Sequence, residues 1–275
     1  MKYLYHNPHL LILCLLTLIT LSSCEDVVDV DLDSGESTIV IDAEILWQKG
    51  TDGSQQTILI SRMTDYYNQE IPKVTGAEVF IENQNGDRFE FQDIGQGVYQ
   101  CLNFTPEVNM EYTLTVAVAD EVYTATEVLT SVTEIIDVVQ SLEPDFSGED
   151  EIQVQFTFQD PADETNFYLS DFETNILFYR EYELTDDEFF NGNVINSEFS
   201  DEDLKVGDTV KITHRGISEQ FYNYMNLILE TTSGNPFATP PGNIRGNILN
   251  KNDQGTYALG YFRLSESDQV THIVE

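Results

Sequence analysis

Short alternating runs of β-branched and polar residues predict a mainly β protein: two β-sandwich-like domains, the first immunoglobulin-like, the second carrying one amphipathic helix. Three observations point there. Between residues 38 and 129 about seven short alternating runs succeed one another with turn residues between them, the spacing of a sandwich. Comparable runs, richer in aromatic residues, resume after Glu151. Only residues 217–230 repeat apolar side chains at three-and-four spacing, the period of a helix.

Taken in order, residues 38–45 and 57–62 read as strands. Residues 77–82 alternate by two, Asn85-Gly86 offers the positive φ angles of a tight hairpin, and 88–91 return. Residues 98–104, 112–118 and 122–129 complete the set, so the first sandwich is placed at 36–130. Residues 131–150, with Pro144 and Gly148, form a linker or connecting strand. The second β-rich domain spans 151–275. Residues 152–158 set Val154, Phe156 and Phe158 on one face, and Asp160-Pro161 ends the run. Residues 166–172, 175–182 and 209–214 read as further strands, and the acidic stretch 185–203, with Asn191-Gly192, as a long hairpin loop.

The helix keeps Ile217, Phe221, Tyr224, Met225 and Ile228 to one face. Ser218 can cap it, and Gly234 can end it. This stripe is expected to pack on a sheet rather than line a cofactor site. Residues 256–264 and 270–274 read as closing strands.

Ahead of the sandwiches, residues 1–23 have the three parts of a secretory leader. Lys2 marks the n-region, an apolar-plus-threonine run of 12 residues ends at Leu21, and Leu21-Ser22-Ser23-Cys24 follows. That run is too short to span a bilayer, which takes about 20 apolar residues. A small residue before a cysteine reads as a lipoprotein processing site, which makes Cys24 the lipid attachment residue and 24–35 an acidic tether. Lipidation changes the expectation from free to membrane-anchored.

The leader holds one of the 12 Lys+Arg and none of the 49 Asp+Glu, so cutting before Cys24 leaves a charge of −38. Such a surface excludes nucleic acid, whose phosphates require a basic patch. It also favours a body standing off anionic headgroups. Cys14 leaves with the leader and Cys24 is acylated, so Cys101 remains as one buried structural thiol without a disulfide partner.

No residue pattern assigns catalysis, a cofactor or a metal. His214 and His272 are the only histidines after Cys24 and form no H-E-x-x-H pair. No G-x-S-x-G elbow, P-loop or dinucleotide fingerprint appears. Asp29, Asp31 and Asp33 suggest a calcium loop, but Ser34 stands where glycine is needed and Val40 where a bidentate glutamate is needed. Asp186-Asp187 and the acids of 149–151 and 201–203 read as solvated faces, with surface calcium on the latter two left open.

The start at 23–32, Gly76-Ala77-Glu78-Val79, Gly97-Val98-Tyr99, 112–116, Asp160-Pro161 with Asn166-Phe167-Tyr168, Asn235-Pro236-Phe237, Gly246-Asn247-Ile248 and Gly260-Tyr261-Phe262 stand in this order along the chain. Together they resemble a family of Bacteroidota lipoproteins, domain of unknown function 4249. Asp120-Glu121 departs from the family's more usual glycine-containing turn. The acids behind Cys24 are similar to a surface-export signal of such lipoproteins. The resemblance implies an outer-membrane protein facing the cell exterior, encoded beside a TonB-dependent receptor and serving it as a non-enzymatic accessory in ligand capture or uptake. It carries over no catalytic residue. The alternative is a surface hydrolase acting on glycan or peptide.

Aromatic residues in loops are the candidate partner-binding groups. Tyr66 and Tyr67 lie in the long loop after the second strand, and Phe237 lies between Pro236 and Pro240-Pro241. A pre-ordered aromatic loop loses little entropy on docking. The alternative for each is burial against its own domain.

Overall fold

The computed structural model describes residues 38–64, 70–144, 148, 150–232, 244–253 and 255–275, which lie in one compact unit running from Ser37 to Glu275. Its first seven strands are β1 (Ile39–Gln48), β2 (Gln56–Arg62), β3 (Glu78–Asn83), β4 (Arg88–Gly95), β5 (Val98–Cys101), β6 (Glu111–Val118) and β7 (Glu121–Val128). Strands β1, β2 and β5 are hydrogen-bonded neighbours, as are β3, β6 and β7. β4 serves both groups. Its first half pairs with β3 and its second half, from Gln92 and with a bulge between Asp93 and Gly95, with β5. The result is the immunoglobulin-like sandwich expected from the strand spacing.

Alternation fills the interior. Ile39, Ile41, Ala43 and Ile45 of β1 face Ile81, Leu114 and Val116 across the core, with Tyr99 and Tyr112 buried among them. Two hydroxyls close the corners. Tyr112 Oη accepts from Glu107 N at 2.9 Å and donates to Thr105 O at 3.0 Å, which is the tyrosine corner of immunoglobulin-like sandwiches. Tyr99 Oη accepts from Ala77 N at 3.0 Å and donates to Val74 O at 3.1 Å.

The turns differ in detail from expectation. In the β3–β4 hairpin only Gly86 has positive φ (+88°), while Asn83 Oδ1 accepts from the backbone N–H groups of Asn85 and Asp87. The side-chain bonds of Asn83 hold the turn, so Asn85 need not enter the left-handed region. In the β6–β7 hairpin the positive φ falls on Ala119 (52°).

The second sandwich sets a sheet of β8 (Ile135–Pro144), β9 (Asp150–Gln159) and β12 (Val194–Ser200) against β10 (Phe167–Thr174), β11 (Glu181–Asp186) and β13 (Thr209–Ile217). Val154, Phe156 and Phe158 of β9 meet Tyr168, Phe172, Val210 and Ile212 in a second core. Fully burying a side chain of this size contributes roughly 1.5–3 kcal/mol. Residues 131–150 therefore hold a paired strand, β8, and the acidic stretch 185–203 holds β12. Both are edge strands that break the apolar period, β8 by exposing Ile136, Val139 and Leu142 and β12 by exposing Val194 and burying Ser197. Residues 175–180 form a turn rather than a strand. Thr174 Oγ1 accepts from Leu177 N at 3.0 Å, Asn175 Oδ1 accepts from Thr209 N at 2.8 Å, and Phe178 and Tyr179 are left exposed.

After β13 come the helix α1 (Glu219–Thr232), the two-residue β14 (Leu249–Asn250) on β7, and β15 (Leu259–Ile273). β15 is one continuous strand and joins the two sandwiches. Its first part pairs parallel with β1, Val40 to Leu259 through Gln48 to Ser267. Its second part pairs antiparallel with β13, from Arg215–Ser267 to Thr209–Ile273. Phe262 and Leu264 accordingly enter the first core, and Val274 just beyond the strand enters the second.

The family-like motifs serve this closure. Gly260 has φ +93°, and a Cβ there would lie 2.1 Å from Ile41 O; one on Gly246 would lie 1.8 Å from Gly260 O. Asn247 reproduces strand pairing with its side chain, donating to Phe262 O at 2.8 Å and accepting from Phe262 N at 2.9 Å. Asp160 is buried and accepts from Tyr168 Oη at 2.6 Å and Gly192 N at 2.9 Å.

Candidate binding cleft

Because side chains alternate across a strand, the residues not used in the two cores share an outer face where the sandwiches meet. From β10, β13, β15 and β1 that face presents Leu169 and Asp171, Arg215 and Ile217, Tyr261 and Arg263, and Val40, Asp42 and Glu44. Helix α1 lies beside it. Ser218 Oγ accepts from Phe221 N at 3.2 Å, the expected cap, and donates to Glu127 Oε2 at 3.1 Å, which ties the start of the helix to β7.

The helix stripe only partly conforms to expectation. Ile217 ends β13, and Phe221 is the one buried residue of α1. Tyr224 and Met225 pack around Phe221 and Tyr261 while remaining partly exposed, and Ile228 follows one turn on. Between this stripe and the sheet lies a cleft of about 440 Å³, within the range of about 300–1,000 Å³ usual for small-molecule sites. Tyr182 and Arg180 border it at the β11 side.

A chain of ion pairs forms the polar part of the cleft. Asp171, fully buried, contacts Arg215 Nη1 and lies 3.6 Å from Arg180 Nη1. Arg215 Nε is 3.3 Å from Glu44 Oε1, and Arg263 reaches Glu44 Oε2 at 3.2 Å and Asp42 Oδ1 at 2.8 Å. At the other end Glu173 Oε2 takes Arg180 at 3.2 Å and Lys211 at 3.9 Å. Four of the 12 Lys and Arg of a chain with net charge −37 thus converge here, matched by four carboxylates.

Burial alone would raise the Glu44 carboxyl, but Arg263 and Arg215 outweigh it and hold the group below the ordinary glutamate range. Arg263 is correspondingly raised, against its own burial, by Glu44 and Asp42. One donor is left over. Arg215 Nε is enclosed and has no hydrogen-bond acceptor in good geometry, although Glu44 lies nearby.

His214, next in sequence to Arg215, points the other way, into the second core between Phe158 and Tyr168. Burial, and then the adjacent Arg215 charge, push it down to about 3, so it is neutral and bonded to Ser170 Oγ at 3.0 Å. Cys101 is buried in the first core, where burial pushes its thiol up. Among the described residues no group of three or more His, Cys, Asp or Glu is placed to hold a metal ion.

The residues singled out from sequence as sites, Cys24, Tyr66, Tyr67 and Phe237, lie outside the described residues. The cleft was not anticipated. Two signals pointed to it: a carboxylate, Asp171, inside the largely buried strand Phe167–Thr174, and Asp42 and Glu44 alternating with four core residues of β1.

The family model for a domain of unknown function, DUF4249, matches residues 25–271. No curated protein matches the chain. Among solved structures similar to it, a two-domain fibronectin type III segment of chicken tenascin is 11% identical, covers 59% of this chain and 85% of its own, and has a TM-score of 0.22. Domains FN1–FN3 of chicken CNTN1 are 11% identical over 66% of this chain and 63% of theirs, with a TM-score of 0.25. A DUF4785 family protein of Legionella pneumophila is 11% identical over 67% of this chain and 53% of its own, with a TM-score of 0.24.

Proposed function

We propose that this chain, which belongs to the DUF4249 family of domains of unknown function, is a lipid-anchored outer-membrane protein that binds a small ligand without transforming it. In this reading it is held at the cell surface through Cys24 and serves a TonB-dependent receptor as an accessory in ligand capture. The observation that carries it is the cleft between α1 and the outer face of β1, β10, β13 and β15, where every charged side chain is already engaged by an opposite one. Such groups orient a ligand well and exchange protons poorly.

That distinction weighs against the hydrolase alternative. Glycoside hydrolysis needs one carboxylic acid that keeps its proton near neutral pH. Glu44 is held in the opposite direction by two guanidinium groups. The leader, the cysteine behind it and the acidic tether support the address.

Affinity capture of tagged protein from solubilised outer membranes tests this reading. A TonB-dependent receptor should be recovered in comparable amount, and Cys24→Ala should lose membrane retention. Intact lipidated protein that brings down no receptor would remove the partner. Unchanged membrane retention of Cys24→Ala would remove the anchor.

A further inference from the structure

We infer that the cleft beside α1 binds a neutral sugar ring, packed on Tyr224 and hydrogen-bonded at once by Arg215, Arg263 and the carboxylates of Asp42 and Glu44. This deepens the reading of the protein as a ligand-capturing accessory and rests on it.

Three properties of the cleft select this class. The first is charge. Its guanidinium groups and carboxylates neutralise one another, so a ligand with net charge would leave one partner over, and the surrounding chain at −37 would repel an anion. The second is unspent hydrogen-bonding capacity of both signs. Arg215 Nε is enclosed, 3.3 Å from Glu44 Oε1 but out of line for a good hydrogen bond to it. Arg263 carries five N–H groups, of which Nη1 and Nη2 serve Asp42 and Glu44. A carboxylate oxygen has two lone pairs, so Asp42 and Glu44 keep acceptor sites beside those guanidinium bonds. A hydroxyl both donates and accepts, and adjacent hydroxyls on one ring can meet a guanidinium and a carboxylate together. The third is the wall. Tyr224 and Tyr261, with ring centroids 4.8 Å apart, and the partly exposed Met225 offer apolar surface suited to the C–H face of a pyranose. A purely apolar ligand would cover the remaining N–H groups of Arg263 and the free lone pairs of Asp42 and Glu44 without giving them partners. A free amino acid would place its ammonium and carboxylate in competition with pairs already formed.

The test uses the lipidated protein in nanodiscs and isothermal titration with four probes: maltotriose, mannotriose and xylotriose as neutral trisaccharides, and trigalacturonic acid as the charged counterpart. Tryptophan serves as a zwitterionic control. At least one neutral trisaccharide should bind with a Kd at or below about 1 mM, the weak end of specific affinity. Tyr224→Ala, on a half-exposed helix position, should weaken it about tenfold. Met225→Trp should block the cleft, while Phe178→Ala, on an exposed loop, should change nothing. Failure of all three neutral sugars to bind, binding of only the charged sugar or tryptophan, or affinity unchanged in both Tyr224→Ala and Met225→Trp would each overturn the inference. Receptor capture is a separate readout. A protein that recovers the receptor but binds no neutral sugar removes this inference alone, and one that binds sugar without a receptor removes only the partner.

Discussion

Arg215 on β13 and Glu44 on β1 are not neighbours in the sheet, since β15 runs between them, yet Arg215 Nε lies 3.3 Å from Glu44 Oε1. The pair reaches over β15 at the place where that strand changes partner from β1 to β13. It therefore links the two sandwiches by charge where β15 links them by backbone, and the same residues form the polar part of the cleft.

Removing one member of this network should cost more than removing two. Arg215→Met leaves Asp171 fully buried, with Arg180 at 3.6 Å as its remaining cationic contact. Breaking a buried pair in this way costs about 3–5 kcal/mol, and Arg180 places the expected loss near the lower end. Replacing both, Arg215→Met with Asp171→Leu, should recover most of it, because neither desolvated charge remains. Urea unfolding of the two single variants and the double one measures the coupling; additive losses would show that Asp171 does not depend on Arg215.

His214 fixes the sign of one pH dependence. Its folded value is near 3 against an ordinary 6.5. Between those values the unfolded chain holds a proton that the folded chain does not, so stability falls as pH falls from 6.5 and is fully present above it. The slope starts at half of its limit of about 1.4 kcal/mol per pH unit and approaches that limit, so about 1.6 kcal/mol should be lost between pH 6.5 and 5 through this residue. His214→Asn keeps a polar group for Ser170 and will be less stable throughout, but its profile should lack that slope. An identical slope in the variant would place the titration elsewhere.

Glu183 acts in the opposite sense. Burial raises its carboxyl above the ordinary 4.5, with the hydrogen bond from Ser197 only partly offsetting this. The folded state then binds the proton more tightly, and the ionised group weakens the fold at neutral pH. Glu183→Gln should therefore gain stability relative to wild type at pH 7 and lose that advantage as pH falls towards 4.5. The difference between the two urea midpoints across this range is the measurement, and a constant difference would show no linked proton.

Much of the fold was legible because the signals were local. Alternation in β1, β3, β6 and β9 marked both cores, and Ser218 marked the helix start. β8 and β12 were obscured because each lies at a sheet edge and breaks the apolar period: β8 exposes Ile136, Val139 and Leu142, and β12 exposes Val194 while burying Ser197. The unity of β15 was hidden for another reason. Ser265-Glu266-Ser267-Asp268 reads as a polar break, but Ser265, Glu266 and Ser267 are buried at the crossing. There Glu266 accepts from Val132 N at 3.0 Å and pairs with Lys49 at 3.1 Å. The cleft left only scattered marks, Asp171 in a buried strand and Asp42 and Glu44 alternating with core residues, because its residues come from five strands and a helix that only the tertiary fold brings together.

Ala119 tests a local rule. It carries a positive φ of 52° at the first position of the two-residue turn between Val118 and Glu121. An L-residue with a side chain is disfavoured there, whereas glycine is not. Ala119→Gly should raise stability by about 0.5–1 kcal/mol, the relief slightly exceeding the added entropy of the unfolded chain. A loss of similar size in thermal unfolding would mean that the turn is held without strain.

Gly260 is the position at which the closing strand depends most on the absence of a side chain. Two effects combine: φ is +93°, and a Cβ would lie 2.1 Å from the carbonyl oxygen of Ile41. That oxygen belongs to β1 backbone in the parallel pairing of Ile41 with Gly260, so it cannot move aside without opening the pairing. Gly260→Ala should cost more than the approximately 1–2 kcal/mol of left-handed backbone strain alone. The loss should also be regional. Hydrogen exchange is expected to rise in β1 and the first half of β15, where parallel pairing is disturbed, while β6, deep in the first sandwich and paired on both sides, keeps its protection. Gly50, also at positive φ (+80°) but with open space around its Cβ position, is the matched control. Gly50→Ala should show only the backbone strain. Equal losses at the two positions would mean that contact with Ile41 contributes nothing to the join between β1 and β15.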